Sequence, residues 1–407
     1  MGYEFFRRTL RTGNNLVGLI EKGSPAFLLS VATPFGALNT QGDCWGAAHF
    51  TEHILFKNQS DPNKKQAYHA LKTAGGISNG GTSFSWTELH TEGRIDRLEQ
   101  GVKFLTSLLG MPNCNPSRFV QEREVIDTER SESRDNPKDM QPELSFYSLY
   151  YPSIPQSIFG SKSLFNRIKL KDVLDVWKTG FSLENLNFFY IGGPVNIQNF
   201  TCELESHLKG ISLPRRTLMQ RPVILEQAPK NETIKRNGLD NAYIVMSSYI
   251  PTSTSPLFTA FNMVSDYLGI IEGNVLFEEA RERAGLVYGF SPMVLTGDSY
   301  SLFSIGTCCN PNKIERLRNI VSNSFRRMTK VGKKEFERAK DRVLSEKILE
   351  QSNREEIFID ILDREFDGRW AESYLTEHHR LKEVSLSQFR AAADISFVGN
   401  IDILPVN

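Results

Sequence analysis

The segment around His49 and His53 restricts the fold of this chain more than any other. Its neighbours are mostly apolar and include no proline, which predicts a buried helix. Residues four apart lie on one face of a helix, so both imidazoles can bind one metal ion. Glu52 lies beside them, where a general base for a water molecule at the metal is expected. The sequence therefore predicts half of a catalytic zinc site; the alternative, two core histidines beside an acid, would be costly to bury.

Residues 46–57 resemble the active-site helix of the pitrilysin family of metallopeptidases. They read Gly-Ala-Ala-His-Phe-Thr-Glu-His-Ile-Leu-Phe-Lys, and His-x-x-Glu-His is the inverzincin signature. The family includes insulin-degrading enzyme and the mitochondrial processing peptidases, and the chain resembles its short, two-domain members. Thr51 stands where a larger apolar residue is commoner. The resemblance implies a zinc metalloendopeptidase that binds one Zn²⁺ per chain through His49, His53 and a third ligand.

The third ligand is expected further along the chain, because catalytic zinc sites usually have three protein ligands and one can be a carboxylate. The acidic segment 118–130 contains Glu122 and Glu129, which lie two helical turns apart on one face. The resemblance makes Glu129 the metal ligand and Glu122 the carboxylate that orients a histidine or adjusts the charge of the site. Glu124 competes with Glu122 for that role, and a solvated acidic helix is the alternative for the whole segment.

The glycine-rich segment 74–83 resembles the strand that lies next to the metal in this family. The edge of that strand pairs with an extended substrate, which is β-augmentation. The resemblance implies that Asn79 offers its side-chain amide to the substrate backbone and that Gly80 also contacts substrate. Gly80 stands where alanine is commoner. A glycine-rich turn before an ordinary strand is the alternative.

Residues 276–288 resemble the family's Arg-x-x-x-Gly-Leu-x-Tyr region, with Arg281 and Tyr288 seven positions apart. The resemblance implies that both side chains face the zinc across a chamber. A phenol can donate a hydrogen bond to a carbonyl oxygen that becomes negative, and a guanidinium can bind a substrate carboxylate or backbone. Arg283 is a competing arginine. The alternative is a charged helix that ends at a Gly-Leu C-cap, with Tyr288 in the core.

One pattern of strands and helices occurs twice along the chain. The apolar strand 26–32 leads into the zinc helix, and the similar strand 242–249 leads into a helix at about 257–268 that contains no histidine. Near the end of each half another strand runs into glycine, at 187–193 and at 395–399. The pattern predicts an α+β fold of two structurally similar domains, each a mostly antiparallel sheet with helices packed on one face.

The length of 407 residues also favours two domains. The segment 210–231 contains three prolines among basic and polar residues, which is typical of a linker. We therefore expect a zinc-binding catalytic domain at 1–209. A second domain of the same fold, at 232–407, would lack metal ligands and contain Arg281 and Tyr288.

Composition excludes several classes of partner. Positive and negative side chains balance at 48 each, so the charge indicates neither a nucleic-acid partner nor an anionic-membrane partner. No apolar segment is long enough to span a bilayer. Five scattered cysteines predict a reducing, cytoplasmic location without disulfides. Cys44 lies near the metal-binding histidines and is expected to be a packing residue. The remaining histidines have no ligand spacing and are expected in the core or at the surface: His69, His90, His207, His378 and His379.

The metal ligands lie in the first half of the chain and the arginine–tyrosine region in the second. The resemblance therefore implies a chamber closed by two chains, either a homodimer or a heterodimer with a related peptidase chain. Peptides or unfolded segments would be cleaved inside it, because a scissile bond must reach an enclosed metal in extended form. The alternative is a non-catalytic subunit that binds peptides or holds such an assembly together.

Overall fold

A computed structural model of the chain describes residues 3–40, 42–57, 62–151, 157–215, 228–270, 273–350 and 353–406. The strands within these residues are β1 Tyr3–Thr9, β2 Asn15–Glu21, β3 Ala26–Thr33, β4 Ile77–Thr82, β5 Thr87–Arg94, β6 Asn187–Gly192, β7 Asn231–Arg236, β8 Ala242–Tyr249, β9 Ser291–Thr296, β10 Ser301–Cys309 and β11 Gly399–Pro405.

The helices are α1 Ala47–Phe56, α2 Pro62–Thr73, α3 Leu98–Leu108, α4 Pro116–Asp135, α5 Gln141–Tyr150, α6 Lys162–Phe165, α7 Leu170–Gly180, α8 Ile197–Lys209, α9 Phe258–Gly269, α10 Val275–Phe277, α11 Ile314–Met328, α12 Lys333–Glu350, α13 Arg354–Phe366, α14 Glu377–Glu383 and α15 Leu386–Ala393. A π-helical turn, Glu278–Arg283, follows α10. Within the described ranges, no helix combines the length and the apolar character that crossing a bilayer requires.

The chain forms two compact units, and each is assembled from three separate stretches of sequence. The first unit comprises Met1–Arg130, Ile158–Pro222 and Arg354–Leu362, and the second comprises Ser131–Ser157, Val223–Asn353 and Asp363–Asn407. Part of the predicted linker 210–231, residues 216–227, lies outside the described residues. The boundaries 1–209 and 232–407 stay a prediction.

Each unit contains one mixed sheet, and the two sheets have the same topology. The strand order is β1-β2-β6-β3-β5-β4 in the first unit and β7-β11-β8-β10-β9 in the second. Without β1, the first order matches the second strand for strand. In each sheet one pair is parallel, β2 with β6 and β7 with β11, and the other pairs are antiparallel. The predicted fold class, two similar α+β domains with mostly antiparallel sheets, is confirmed.

The core of the first unit lies between its sheet and the helices α3 and α8. Strand β3 is buried along nearly its whole length because it lies inside the sheet. Its residues Leu29 and Val31 point into this core together with Leu105 of α3 and Leu204 of α8. Alternate residues of a strand face opposite sides, and on the other face Phe189 of β6 contacts Phe358 of α13. The second face of this sheet is therefore covered by α13, a helix from the late part of the chain.

The second unit is also covered on both faces of its sheet, where the sequence predicted helices on one face only. Ile244 and Met246 of β8 pack in the larger core with α9 and α11, whereas Tyr243 and Val245 pack with Leu144 of α5. The alternation follows from the two-residue period of the strand. Helix α5 thus belongs to the second unit although it comes from the first half of the sequence.

The two predicted strands that lead into helices and the strand at 187–193 are confirmed within about one residue, but the predicted strand at 395–399 is wrong. The ladder begins only at Gly399, which pairs with Ser247. Ile395 and Phe397 are apolar because they pack against the core of the second unit, ahead of the strand. A short apolar run does not distinguish these two situations.

Candidate metal centre

The residue just before helix α1, Gly46, has a backbone conformation and a close neighbour that favour glycine. Gly46 has φ +94°, and a Cβ there would lie 2.8 Å from the carbonyl oxygen of Phe159. L-residues rarely adopt that conformation, so Gly46 permits the close approach that buries the start of α1. Thr51, the departure from the family pattern, is fully buried and donates a hydrogen bond to the Ala47 carbonyl at 2.7 Å. The predicted buried helix is confirmed.

His49 and His53 lie on one face of this helix, and Glu129 converges with them there. The ring centroids of the two histidines lie 4.6 Å apart. His53 Nε2 lies 3.1 Å from Glu129 Oε2, and His49 Nε2 lies 3.6 Å from Glu129 Oε1. One ligand atom from each residue lies within 4.8 Å of the other two. The structure therefore brings the three predicted metal ligands together, with Glu129 supplied by α4.

Glu122, one of two competing carboxylates on α4, contacts His53 at Nδ1, the ring nitrogen that does not face Glu129. Its Oε1 lies 2.9 Å from His53 Nδ1, and its Oε2 lies 3.7 Å from Lys57 Nζ. Glu124 is exposed, whereas Glu122 is buried. Burial lowers the pKa of His53, but the hydrogen bonds to Glu122 and Glu129 outweigh it and raise that pKa to about 9. An acceptor at Nδ1 leaves the lone pair of Nε2 for a metal.

Replacement of Glu122 by glutamine is expected to lower zinc affinity about 10–100-fold, because such partners fix the ligand ring and raise its basicity. Competition with a chromogenic zinc chelator measures this affinity. Glu124→Gln, on the same helix but exposed, is the matched control and should bind zinc like the parent. An equal loss in both variants would contradict the assignment of Glu122.

Glu52 lies close to the ligand group without joining it. Its Oε2 accepts a hydrogen bond from Thr82 Oγ1 at 3.0 Å and lies 3.9 Å from His49 Nε2. Burial raises the pKa of Glu52 to about 7, against the lowering influence of His53 and Thr82. A carboxylate with a pKa near neutrality can both accept and return a proton. Sequence reasoning assigned no role to Thr82, although alternation along β4 places it on the face of Gly80.

Gly80 has no room for the alanine that is commoner at this position. A Cβ there would lie 2.8 Å from the Glu88 carbonyl oxygen, 2.9 Å from Phe56 Cε2 and 3.2 Å from Glu52 Oε1. The absence of a side chain at Gly80 thus lets β4 lie directly against α1. The glycine is explained by this packing, independently of substrate.

Replacement of Gly80 by alanine is expected to destabilise the protein by about 1–3 kcal/mol, because overpacking displaces neighbouring groups. Gly81→Ala is the control, since a Cβ at Gly81 has no neighbour closer than 3.5 Å. Denaturant unfolding followed by circular dichroism compares the two variants with the parent. Equal stability of the two variants would contradict this account of Gly80.

Strand β4 is the outermost strand of its sheet. It pairs with β5 along one side, where Asn79 stands opposite His90. Asn79 is exposed, as is Ile77 with 58 % of its surface accessible. An edge strand offers backbone groups to a further extended chain. The position is compatible with the predicted substrate contact of Asn79, which stays a prediction.

Arg281 and Tyr288 lie together in the second unit. The Arg281 guanidinium stacks between the rings of Tyr288 and Phe277, at 4.5 and 4.9 Å from their centroids, and Nη1 donates to the Tyr288 carbonyl oxygen at 3.0 Å. Tyr288 is 81 % exposed, so the alternative of a core tyrosine is wrong. The competing Arg283 pairs with Glu279 at 2.8 Å. Arg281 occupies the π-helical turn, an irregularity frequent at functional sites.

Two family models and several known proteins match this chain. Residues 20–149 match the family model described as insulinase (peptidase family M16), and residues 167–343 match the model described as peptidase M16 inactive domain. The zinc protease PqqE of Helicobacter pylori is 23 % identical over 322 residues, which cover 77 % of this chain and 72 % of that protein. A zinc protease of Rickettsia felis is 24 % identical over 342 residues, covering 79 % and 78 %.

A solved structure shows the same fold over the whole chain. The crystal structure of a protease from Helicobacter pylori superposes with a TM-score of 0.85 at 18 % identity and covers 100 % of both chains. At this identity the likeness concerns the fold alone. Membership of a family rests on the family models and the zinc protease relatives. The chain belongs to peptidase family M16, the pitrilysin family, and has its two-domain form.

Proposed function

We propose that the protein is a zinc-dependent endopeptidase that cleaves peptides or unfolded segments inside a chamber formed by two chains. The observation that carries this proposal is the convergence of His49, His53 and Glu129 within 4.8 Å, with Glu52 beside them on α1. The zinc protease relatives support the same class of activity.

The donor set fits zinc. Two imidazole nitrogens and one carboxylate form a common set of ligands for catalytic zinc, which keeps a further position open. Burial, together with His53, lowers the pKa of His49 to about 4, so its ring is neutral and able to act as a ligand. When bound, the zinc ion would supply a Lewis acid that polarises the scissile carbonyl and makes water a better nucleophile.

Glu52 performs the proton transfers in this proposal. Its carboxylate takes a proton from the attacking water and returns it to the nitrogen of the leaving amine, which a pKa of about 7 allows in both directions. Thr82 holds one carboxylate oxygen at 3.0 Å and so fixes the side chain relative to β4. A substrate strand on the edge of β4, contacted by Asn79, would therefore be aligned with its general base.

Arg281 and Tyr288 are proposed to bind substrate in the second unit. The exposed Tyr288 phenol is free to donate to a peptide carbonyl that becomes negative, and Arg281 holds the Tyr288 backbone and ring in place. They would serve either the site of their own chain or that of a partner, in a homodimer or in a heterodimer with a related peptidase chain. Five free cysteines favour a cytoplasmic location.

Three measurements test the proposal together. Purified protein should contain about one zinc ion per chain, should cleave an unstructured peptide, and should lose that activity with a chelator and regain it with zinc. Molecular mass in solution, with and without a related chain, tests the chamber. A zinc-loaded protein that binds peptides and never cleaves them would instead support the alternative, a non-catalytic subunit.

A further inference from the structure

We propose that Phe159 is the positioning residue of His49, and that it does with an aromatic ring what Glu122 does for His53 with a carboxylate. The inference rests on the proposed metal site. It assigns a role to a residue that no sequence motif singled out.

The first observation is an unsatisfied nitrogen. His49 Nδ1 is buried and has no hydrogen-bond partner among the described residues. Its other ring nitrogen, Nε2, is the one that lies near Glu129. A metal-binding histidine almost always donates its second ring N–H to a carboxylate, a carbonyl oxygen or water, as His53 does to Glu122. The two ligand histidines are therefore held in different ways.

The second observation is the ring that lies against His49. The Phe159 and His49 centroids are 4.7 Å apart and the ring planes are perpendicular. Phe159 is 6 % exposed and belongs to the apolar cluster that surrounds α1. This edge-to-face arrangement is a favourable one for aromatic rings. The contact restricts the plane of the His49 ring, whose Nδ1 has no hydrogen-bond partner among the described residues.

The segment that contains Phe159 is itself held firmly against α1. The Phe159 carbonyl oxygen approaches Gly46 so closely that a Cβ would lie 2.8 Å away, and a Cβ at Gly160 would lie 3.0 Å from Trp45 Cδ1. Gly46 and Gly160 both have positive φ, +94° and +75°. Two glycines thus allow the chain before α6 to approach the start of α1. The backbone of Phe159 is therefore packed against the start of α1, and its ring is buried in the surrounding apolar cluster.

An apolar partner for His49 also suits the charge of the centre. Glu52, Glu122 and Glu129 already bring three carboxyl groups to it, and Lys57 Nζ lies 3.7 Å from Glu122. A further buried carboxylate behind His49 would add a charge that neither a divalent ion nor Lys57 would balance, which is costly in the interior. A phenyl ring fixes the imidazole without that cost.

The test compares zinc affinities of Phe159→Leu and Phe159→Tyr, measured by competition with a chromogenic chelator. Phe159→Leu, which removes the ring, should bind zinc about 10-fold more weakly, the lower end of the range for lost ligand support. Phe159→Tyr keeps the ring and should retain the affinity of the parent. Phe165→Leu is the matched control: Phe165 lies in the same apolar cluster and stacks on Phe50 at 6.0 Å. Should Phe159→Leu not fold, Phe159→Met takes its place.

Nuclear magnetic resonance of the metal-free protein separates positioning from general packing. The ring resonances of His49 should shift in Phe159→Leu, because an adjacent aromatic ring is lost, and should stay in place in Phe165→Leu. Equal zinc affinity of Phe159→Leu and the parent would overturn the inference, as would equal losses in the two leucine variants. A parent that binds no zinc would instead overturn the proposed metal site on which the inference depends.

Discussion

Glu52→Gln is expected to reduce peptide cleavage about 10²–10⁴-fold, the usual contribution of a general base, and to leave zinc content unchanged. Glutamine preserves the size of the side chain and can still accept a hydrogen bond from Thr82, but it cannot take a proton from water. Cleavage of a quenched fluorescent peptide, together with metal analysis of the same sample, measures both quantities.

The exposed Glu124 provides the control for this prediction. Glu124→Gln removes one carboxylate from the same unit without touching the metal group and should cleave like the parent. If Glu52→Gln cleaved as fast as the parent, the general base would have to be another group. Loss of zinc together with loss of cleavage would indicate that Glu52 helps to build the metal site.

Glu129→Gln is expected to lower zinc affinity by more than the roughly 10–100-fold that loss of a supporting residue costs, since it removes a charged ligand. Burial raises the pKa of Glu129, but His53 and His49 outweigh it, and the net pKa is lowered. The residue is therefore anionic at neutral pH. A protein that binds a metal only when folded is stabilised by it, so zinc should raise the melting temperature of the parent and not of the variant.

Glu132→Gln, on the same helix, is the control for Glu129→Gln and should respond to zinc like the parent. If Glu129→Gln retained zinc with parental affinity, the third ligand would have to come from elsewhere and the proposed hydrolysis would lose its basis. Cleavage by the variant at excess zinc shows whether weak binding alone limits the reaction.

Much of the candidate site could be predicted because helical geometry acts over a few residues. The four-residue spacing of His49 and His53 fixes their common face, and the structure places both rings together. The assignment of Glu129 as the third ligand came from the family resemblance, because no local rule says which acidic residue of α4 lies next to α1. Thr82 and Phe159 contact Glu52 and His49 from distant parts of the chain. Such contacts depend on tertiary packing, which spacing along the sequence does not reveal.

For the fold, too, the sequence predicted local elements better than their tertiary placement. The apolar runs of β3 and β8 identify interior strands, because buried strands are apolar on both faces. The same rule misplaced the strand before Gly399, where Ile395 and Phe397 pack on the core without joining the ladder. Helix α5 is buried along nearly its whole length. Its sequence does not show against which sheet it packs, and so the sequence did not predict that α5 belongs to the second unit.

The second unit contains α5 from the first half of the chain, and the first unit contains Arg354–Leu362 from the second half. This has a consequence for expressing the two halves separately. A fragment of residues 1–209 would carry Leu144 and its neighbours on α5 without the sheet that they cover, and would lack the segment Arg354–Leu362 that completes its own unit. Each half would expose an apolar surface meant for the interior and would tend to aggregate when expressed alone. Soluble, folded protein should require both halves in one cell, either joined or as two co-expressed pieces that find each other.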